Sequence, residues 1–520
     1  MKELKLNELN VKQKIGMAMC GRIGLGLNDP DTQYTLEMIR NHSLGAVWIY
    51  HDVPDFNECM AAVKEAADYP ILIVSDAESG LPPYTIGRHN AIGCTGDPKY
   101  AYAFGKVTAV TARKKGYNVI CNPILDLNFA NSVCGNTVRS LGGDKKKVAE
   151  LAAAICKGMH DGGVLTVGKH YPGSVETTID SHMAEVFDPS TKEELIEKNL
   201  YPYIKLMEED LLDGIMTQHS RIPNIDPDYP ASLSKKVINI IRELGFKGFA
   251  ITDALVMMGV AAKFGSVKSK GMSIAAGNSL ALTWGKNQEG YESLVSCYED
   301  GIFTEEDLDE AVKYVLDAQH KTTLLPKDTE LTDDDLQDIE NINLKSIYAK
   351  TDDGVPVALS RDGRHYFVIL TNMESSNISV DTNLKGWYQP GNIAKKLKEL
   401  FPNSETLFIK EYPSTGEIYC VLGRAVRYED VVFVTFMESQ AYVGWECLTS
   451  RVLSTIEALQ VTNSVSAVVH FGNPFVLEDL VHIPRYIIGG LSTKSVENTL
   501  EVLAGLHEPE GVLTYDVKLP

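Results

Sequence analysis

Through roughly the first 300 residues, short apolar runs alternate with stretches whose apolar positions recur at helical spacing. The runs are Ile15–Cys20, Gly45–Tyr50, Ile71–Ser75, Asn118–Asn122, Val164–Lys169, Gly214–Gln218, Gly248–Thr252 and Ser279–Trp284. Compact runs of this kind read as buried strands. Between them, Asp97–Lys115, Asp144–His160, Lys192–Glu209 and Ser234–Leu244 are amphipathic, and several open on an Asp or Ser that can cap a helix. Eight strand-then-helix repeats in this length predict an α/β fold, a closed parallel (β/α)8 barrel of the TIM type. Two further helices are expected over Asn287–Glu299 and Thr304–Gln319, the second opened by the capping-box pattern Thr304-Glu-Glu-Asp307.

The pattern then changes. The barrel is expected to fill residues 1–325, and the stretch 326–360 is acidic around Asp333-Asp-Asp335 and ends in Asp352-Asp-Gly-Val-Pro356. It reads as a connection carrying one helix. Beyond it, Tyr366–Thr371, Val431–Phe436, Ala467–Phe471 and Arg485–Gly489 are again compact apolar runs, with helical stretches at Ile393–Leu400 and Ser450–Leu459. A second, smaller α/β domain is expected over 361–520. It shows no glycine-rich phosphate-binding motif, so no nucleotide site is expected there.

Composition narrows the partners. The chain has 520 residues, 44 % hydrophobic and 23 % charged, with a formal net charge of -21. Such an acidic molecule repels nucleic acid and anionic membranes, which points to a small-molecule partner. The N-terminus has no apolar targeting segment and no later stretch has the unbroken apolar length of a membrane span, so a cytoplasmic location is expected. The nine cysteines (20, 59, 94, 121, 134, 156, 297, 420 and 447) are scattered without C-x-x-C spacing. They read as reduced core thiols, and neither a metal site nor a cofactor is expected. Oligomeric state is not legible.

In a barrel of this type, functional groups stand at the carboxyl ends of the strands. Polar residues fall there: Ser75-Asp76-Ala-Glu78-Ser-Gly80 after the third run, Asn122-Pro-Ile-Leu-Asp126 after the fourth, Lys169-His170 after the fifth, His219 after the sixth and Thr252-Asp253 after the seventh. Five strand ends converging is hard to explain as packing and predicts a pocket. The fifth run breaks at Pro172-Gly173 into a polar loop holding Asp180-Ser-His182. An Asp two residues before a His can orient the imidazole and raise its basicity, although alone such a pair is more often surface decoration. Asp253 alone could equally cap the next helix.

Several stretches carry a resemblance. Lys169-His-Tyr-Pro-Gly173 followed by Asp180-Ser-His182, and Leu244-Gly-Phe-Lys-Gly-Phe-Ala-Ile-Thr252-Asp253-Ala-Leu-Val-Met257, resemble glycoside hydrolase family 3, in the branch of β-N-acetylglucosaminidases that recycle cell-wall sugars. Arg139-Ser, Asn343-Leu-Lys-Ser and Phe471-Gly-Asn-Pro-Phe-Val-Leu fit the same family, the last two in its C-terminal α/β sandwich. The resemblance implies that Asp253 is the nucleophile, His182 the acid/base and Asp180 its orienting partner. It also implies that Asp76, Arg139, Lys169 and His170 bind sugar hydroxyls; His219 could line the same pocket or be structural. Two stretches depart from the branch. Ser174-Val175 stands where it has His-Gly, and Leu81 follows Gly80 where it has an arginine.

The function expected is a retaining exo-β-glycosidase releasing β-linked N-acetylglucosamine or a related sugar. Two alternatives follow. A phosphorylase would use the same intermediate, because a neutral imidazole repels phosphate less than a carboxylate does. A sugar-binding protein could keep the fold without turnover.

Overall fold

The computed structural model describes residues 2–129, 136–371, 390–437 and 447–520. The chain forms two compact units: 1–84, 101–127 and 144–336 in the first, and 85–100, 128–143 and 337–520 in the second.

The first unit is built on eight strands: β1 (Met19–Ile23), β2 (Ala46–Ile49), β3 (Leu72–Ser75), β4 (Val119–Ile120), β5 (Leu165–Tyr171), β6 (Gly214–Thr217), β7 (Phe249–Thr252) and β8 (Ala281–Leu282). They run parallel in the order β7-β6-β5-β4-β3-β2-β1-β8. The ring closes between β7 and β8 on a single parallel bridge, Ile251 to Leu280, where the Ala250 carbonyl accepts from Ser279 N at 2.7 Å and Leu280 N at 3.0 Å. This is the (β/α)8 barrel that the alternation predicts. Every residue of β2, β3, β6 and β7 is buried, as strands covered on both faces must be.

The helices form where caps and apolar stripes agree. Asp144 accepts from the amides of Lys146 and Lys147 and starts Lys145–Gly162, whose Val148, Leu151, Ala152, Ile155, Cys156 and Met159 are buried at helical spacing. Gly163, at φ 93°, ends it. Ser234 caps Lys235–Glu243 in the same way, and the Thr304–Asp307 capping box opens Glu305–Leu324.

Two elements of the first unit differ from the sequence reading. The run Ile15–Cys20 is split: a reciprocal Asn10–Gln13 capping box starts a helix over Val11–Met17, so the strand begins only at Met19. The expected helix Lys192–Glu209 is two, Lys192–Glu197 and Tyr201–Glu208. Pro202 has no amide hydrogen and its ring opposes the carbonyl four residues back, so one helix cannot run through it. The cysteine reading also needs correction. Six described thiols are buried, but Cys420 is half-buried and Cys447 exposed, and Cys134 lies outside the described residues.

The second unit holds a six-stranded sheet of β9 (Tyr348–Thr351), β10 (His365–Thr371), β11 (Glu405–Lys410), β12 (Asp430–Met437), β13 (Val465–Gly472) and β14 (Arg485–Gly489), in the order β9-β14-β13-β12-β10-β11. Only β9 is antiparallel to its neighbour. Side chains alternate between two cores, with Val432, Val434 and Phe436 in one and Val431, Phe433 and Met437 in the other. Strands β9 and β11 escape the sequence reading because they are the sheet edges. Ile409 alone is buried in β11, and no residue of β9 is, so neither forms an apolar run. No described helix is long and apolar enough to cross a membrane.

At the amino end of β6, the Asp213 carboxylate is buried and accepts from Thr166 N at 2.8 Å and His160 Nε2 at 2.7 Å, with Lys321 Nζ at 2.6 Å. Burial pushes its pKa up, but His160 and Lys321 outweigh that and hold it below 3.8. Asp213→Asn is expected to cost about 3 kcal/mol in urea unfolding at neutral pH, because Lys321 then faces an uncharged group. A depressed folded pKa gives stability that is present above the unfolded value and lost as pH falls through the folded one. The wild-type advantage should therefore vanish in acid.

Candidate active site

The residues singled out in the barrel lie where its strands end. Asp76 follows β3, Lys169 and His170 end β5, His219 follows β6 and Asp253 follows β7. The end of β5 is irregular: Lys169 pairs with Met216 but Tyr171 pairs with Thr217, so His170 is an extra residue in the ladder. A bulge of this kind re-aims a side chain that strict alternation would point elsewhere.

Lys169 is 2 % exposed, and its ammonium lies 2.5 Å from Asp76 Oδ1 and 2.6 Å from Glu78 Oε1. A buried ammonium is strongly penalised unless paired, and two carboxylates here share one. Beside it, His170 Nδ1 is 2.7 Å from Asp126 Oδ2, and its backbone N donates to Asp126 Oδ1 at 3.3 Å. The Asp126 side chain is buried, so Nδ1 carries the proton and the ring orientation is set.

The loop after β5 repeats this arrangement within three residues. Asp180 is buried, and its Oδ1 accepts from His182 N at 2.7 Å and faces His182 Nδ1 at 2.9 Å. The Asp180 carbonyl accepts from Met183 N and Ala184 N, closing a turn. The start of the loop is equally fixed. Ser174 is buried, its hydroxyl donates to the Leu127 carbonyl, and its own carbonyl accepts from Asn199 Nδ2 at 3.1 Å. Asn199 lies in the break between the two helices Lys192–Glu197 and Tyr201–Glu208.

The turn rests on the helix Met258–Phe264. Met258 N donates to the His182 carbonyl at 3.2 Å and Gly259 N to the Ser181 carbonyl at 3.0 Å. A Cβ on Gly259 would stand 2.8 Å from Ser181 O and 3.1 Å from Ala184 O. Only glycine lets the helix approach this closely.

Asp253 is tied by its backbone N to the Thr217 carbonyl at 2.8 Å, and its Oδ1 accepts from Ala254 N at 2.7 Å. It does not cap the following helix, whose N-cap is Met257. Burial raises its pKa, yet His170, His219, His182 and the Ala254 amide together bring it below 3.8. The carboxylate is thus ionised near neutral pH with three imidazoles in electrostatic reach. His219 is fully buried. Its Nε2 lies 3.1 Å from the Ala254 carbonyl, which can only accept, so Nε2 bears the proton and Nδ1 accepts from Ser232 Oγ at 2.8 Å. Burial lowers its pKa, against the pull of Asp253. Both ring nitrogens are used by the protein, which makes His219 a support for the backbone beside Asp253. Arg139 ends the short helix Asn136–Arg139 in the second unit.

Two partners were not singled out from sequence. Asp126 and Glu78 are visible as polar strand-end residues, but their pairing with His170 and Lys169 joins different strands and leaves no local signature.

Residues 3–318 match the glycosyl hydrolase family 3 N terminal domain. The barrel, with acidic and imidazole groups gathered at its strand ends, is that of a glycoside hydrolase. The chain belongs to glycosyl hydrolase family 3. It is 30 % identical over 263 residues to a β-hexosaminidase of Tolumonas auensis, covering 47 % of this chain and 77 % of that protein. The fold is shared with a family 3 β-N-acetylglucosaminidase from Paenibacillus sp. (TM-score 0.81, 23 % identity, 98 % of this chain and 100 % of that one). It is shared equally with a β-glucoside phosphorylase (TM-score 0.81, 21 % identity, 98 % and 95 %).

Gly259→Ala is expected to destabilise the protein by about 1–3 kcal/mol in urea unfolding, as overpacking does, and to shift the ring resonances of His182. Unchanged stability with unmoved His182 resonances would show that the turn has room to yield.

Proposed function

We propose that the chain is a retaining exo-β-glycosidase that releases β-linked N-acetylglucosamine or a closely related sugar through a covalent intermediate on Asp253. The observation that carries this reading is an ionised strand-end carboxylate in electrostatic reach of a histidine already locked to its own aspartate. The β-hexosaminidase relative supports the choice of sugar.

The reaction follows from the protonation states. Asp253 attacks the anomeric carbon while His182 gives its Nε2 proton to the departing glycosidic oxygen. Asp180, accepting from Nδ1, stabilises the imidazolium before transfer and fixes which nitrogen exchanges the proton. In the second half, His182 Nε2 takes a proton from water, the hydroxide oxygen bonds to the anomeric carbon and Asp253 leaves. Asp76, Lys169 and His170 supply charged or oriented partners for sugar hydroxyls, and Arg139 is assigned the same role on the family resemblance. His219 is assigned a positioning role. A second reading is favoured by the acid/base being an imidazole: once neutral, it admits phosphate in place of water, giving a sugar 1-phosphate.

The test is turnover of an aryl β-N-acetylglucosaminide, with glucoside and xyloside for comparison, with and without phosphate. Asp253→Ala is expected to abolish turnover and the adduct trapped by a fluorinated sugar. His182→Ala is expected to lower kcat/KM by about 10²–10⁴-fold on a poor leaving group, with azide rescue of a good one. Because its surroundings hold the Asp253 carboxyl below the usual carboxylate range, an acidic limb of the wild-type profile near neutral pH should belong to another group. No turnover and no adduct from the wild type on the whole panel would overturn the glycosidase reading.

A further inference from the structure

On the rim opposite the Asp180–His182 loop, β1 lies four strands from β5, beside β8. There Arg22 pairs laterally with Trp48 of β2, and Tyr50 lies two residues further along the same face. Trp284, just beyond β8, stands edge-on to both, 6.0 Å from Trp48 and 5.7 Å from Tyr50 between ring centroids. The Arg22 guanidinium lies 5.7 Å from the Trp284 ring centre, and its Nε donates to the Gly285 carbonyl at 3.2 Å. Among the described residues, its two terminal nitrogens have no hydrogen-bond partner. An arginine stacked on an indole and anchored through Nε holds the rest of its donor fork in a fixed plane.

This wall faces the same lumen as the candidate residues. Cys20, two residues before Arg22 on the same face, interacts electrostatically with buried Cys121, which also feels Lys169, Asp76 and Asp253. The Tyr50 phenol, half-buried, is acted on by both Asp76 and Arg22. The rim is acidic around Asp76, Glu78 and Asp253, so a cation with unused donors at the end of β1 has a use for ligand oxygen. Flat aromatic faces beside it suit the C–H face of a pyranose.

We propose that Arg22 and Trp284, backed by Tyr50, form a sugar-binding wall across the rim from the dyad, in which the Arg22 fork donates to a hydroxyl or amide oxygen of the bound sugar. The proposal rests on the glycosidase reading for the identity of the ligand.

The test compares the wild type with Arg22→Ala, Arg22→Lys and Trp284→Leu by calorimetric binding of N-acetylglucosamine and by kinetics on its aryl β-glycoside. Arg22→Ala is expected to weaken binding and raise KM by about 10–100-fold, the worth of a charged hydrogen bond, with the loss in kcat/KM carried by KM. Lysine should recover little, because a point charge does not reproduce the fork. Labelling of Asp253 by saturating fluorinated sugar checks that each variant keeps a formed site. Binding and KM within twofold of wild type in Arg22→Ala would overturn the proposal. Wild-type binding without turnover would sink the glycosidase reading and leave the wall to be judged by binding alone.

Discussion

The groups at the strand ends of the barrel hang from the last hydrogen bonds of a parallel ladder. Asp253 N donates to Thr217 O, Gln218 N to Tyr171 O and Leu125 N to Lys169 O, so the segments leaving β7, β6 and β4 are each pinned to the strand beside them. A parallel barrel leaves its final carbonyls and amides pointing out of one end, and these bonds use them to fix neighbouring strand ends at a common height. Without that, the Asp126–His170 and Asp76–Lys169–Glu78 groupings, drawn from strands far apart in sequence, would have no common frame.

The electrostatics follow from the same frame. Carboxylates and bases are paired before any substrate arrives: Asp126 with His170, Asp180 with His182, and Lys169 between Asp76 and Glu78. Asp253 is the exception, since among the described residues its side chain bonds only to the adjacent Ala254 amide and its charge is held by imidazoles at a distance. A carboxylate kept ionised without a cation directly bound to it keeps its lone pairs for a reacting carbon.

Much of this was legible in sequence, for physical reasons that also explain the misses. Strands buried on both faces leave continuous apolar runs, so seven of the eight barrel strands fell within a residue or two of their runs. The first did not, because the Asn10–Gln13 cap drew Ile15–Met17 into a helix whose buried face is also apolar. Strand-end polarity located Asp253, His170 and Lys169, and the short Asp180–His182 spacing located a pair that forms within one turn. What sequence could not show are partnerships between elements. Asp126 with His170, the use of both His219 nitrogens by Ser232 and Ala254, and the Arg22–Trp284 stack each join residues that only the closed barrel brings together. Sequence likewise does not show that Ser174 and Val175, where the chain departs from the branch, are both buried at the root of the loop.

That last point bears on how the chain can change. The loop after β5 is an arch with fixed footings, Ser174 bonded to Leu127 and Asn199 at one end and the Asp180 turn seated on Gly259 at the other. Of the span between, Glu176, Thr178 and Ile179 are exposed. Length and composition there can vary as a cassette while the Asp180–His182 pair keeps its seat, so evolution or design can reshape the exposed span without rebuilding the fixed end of the loop.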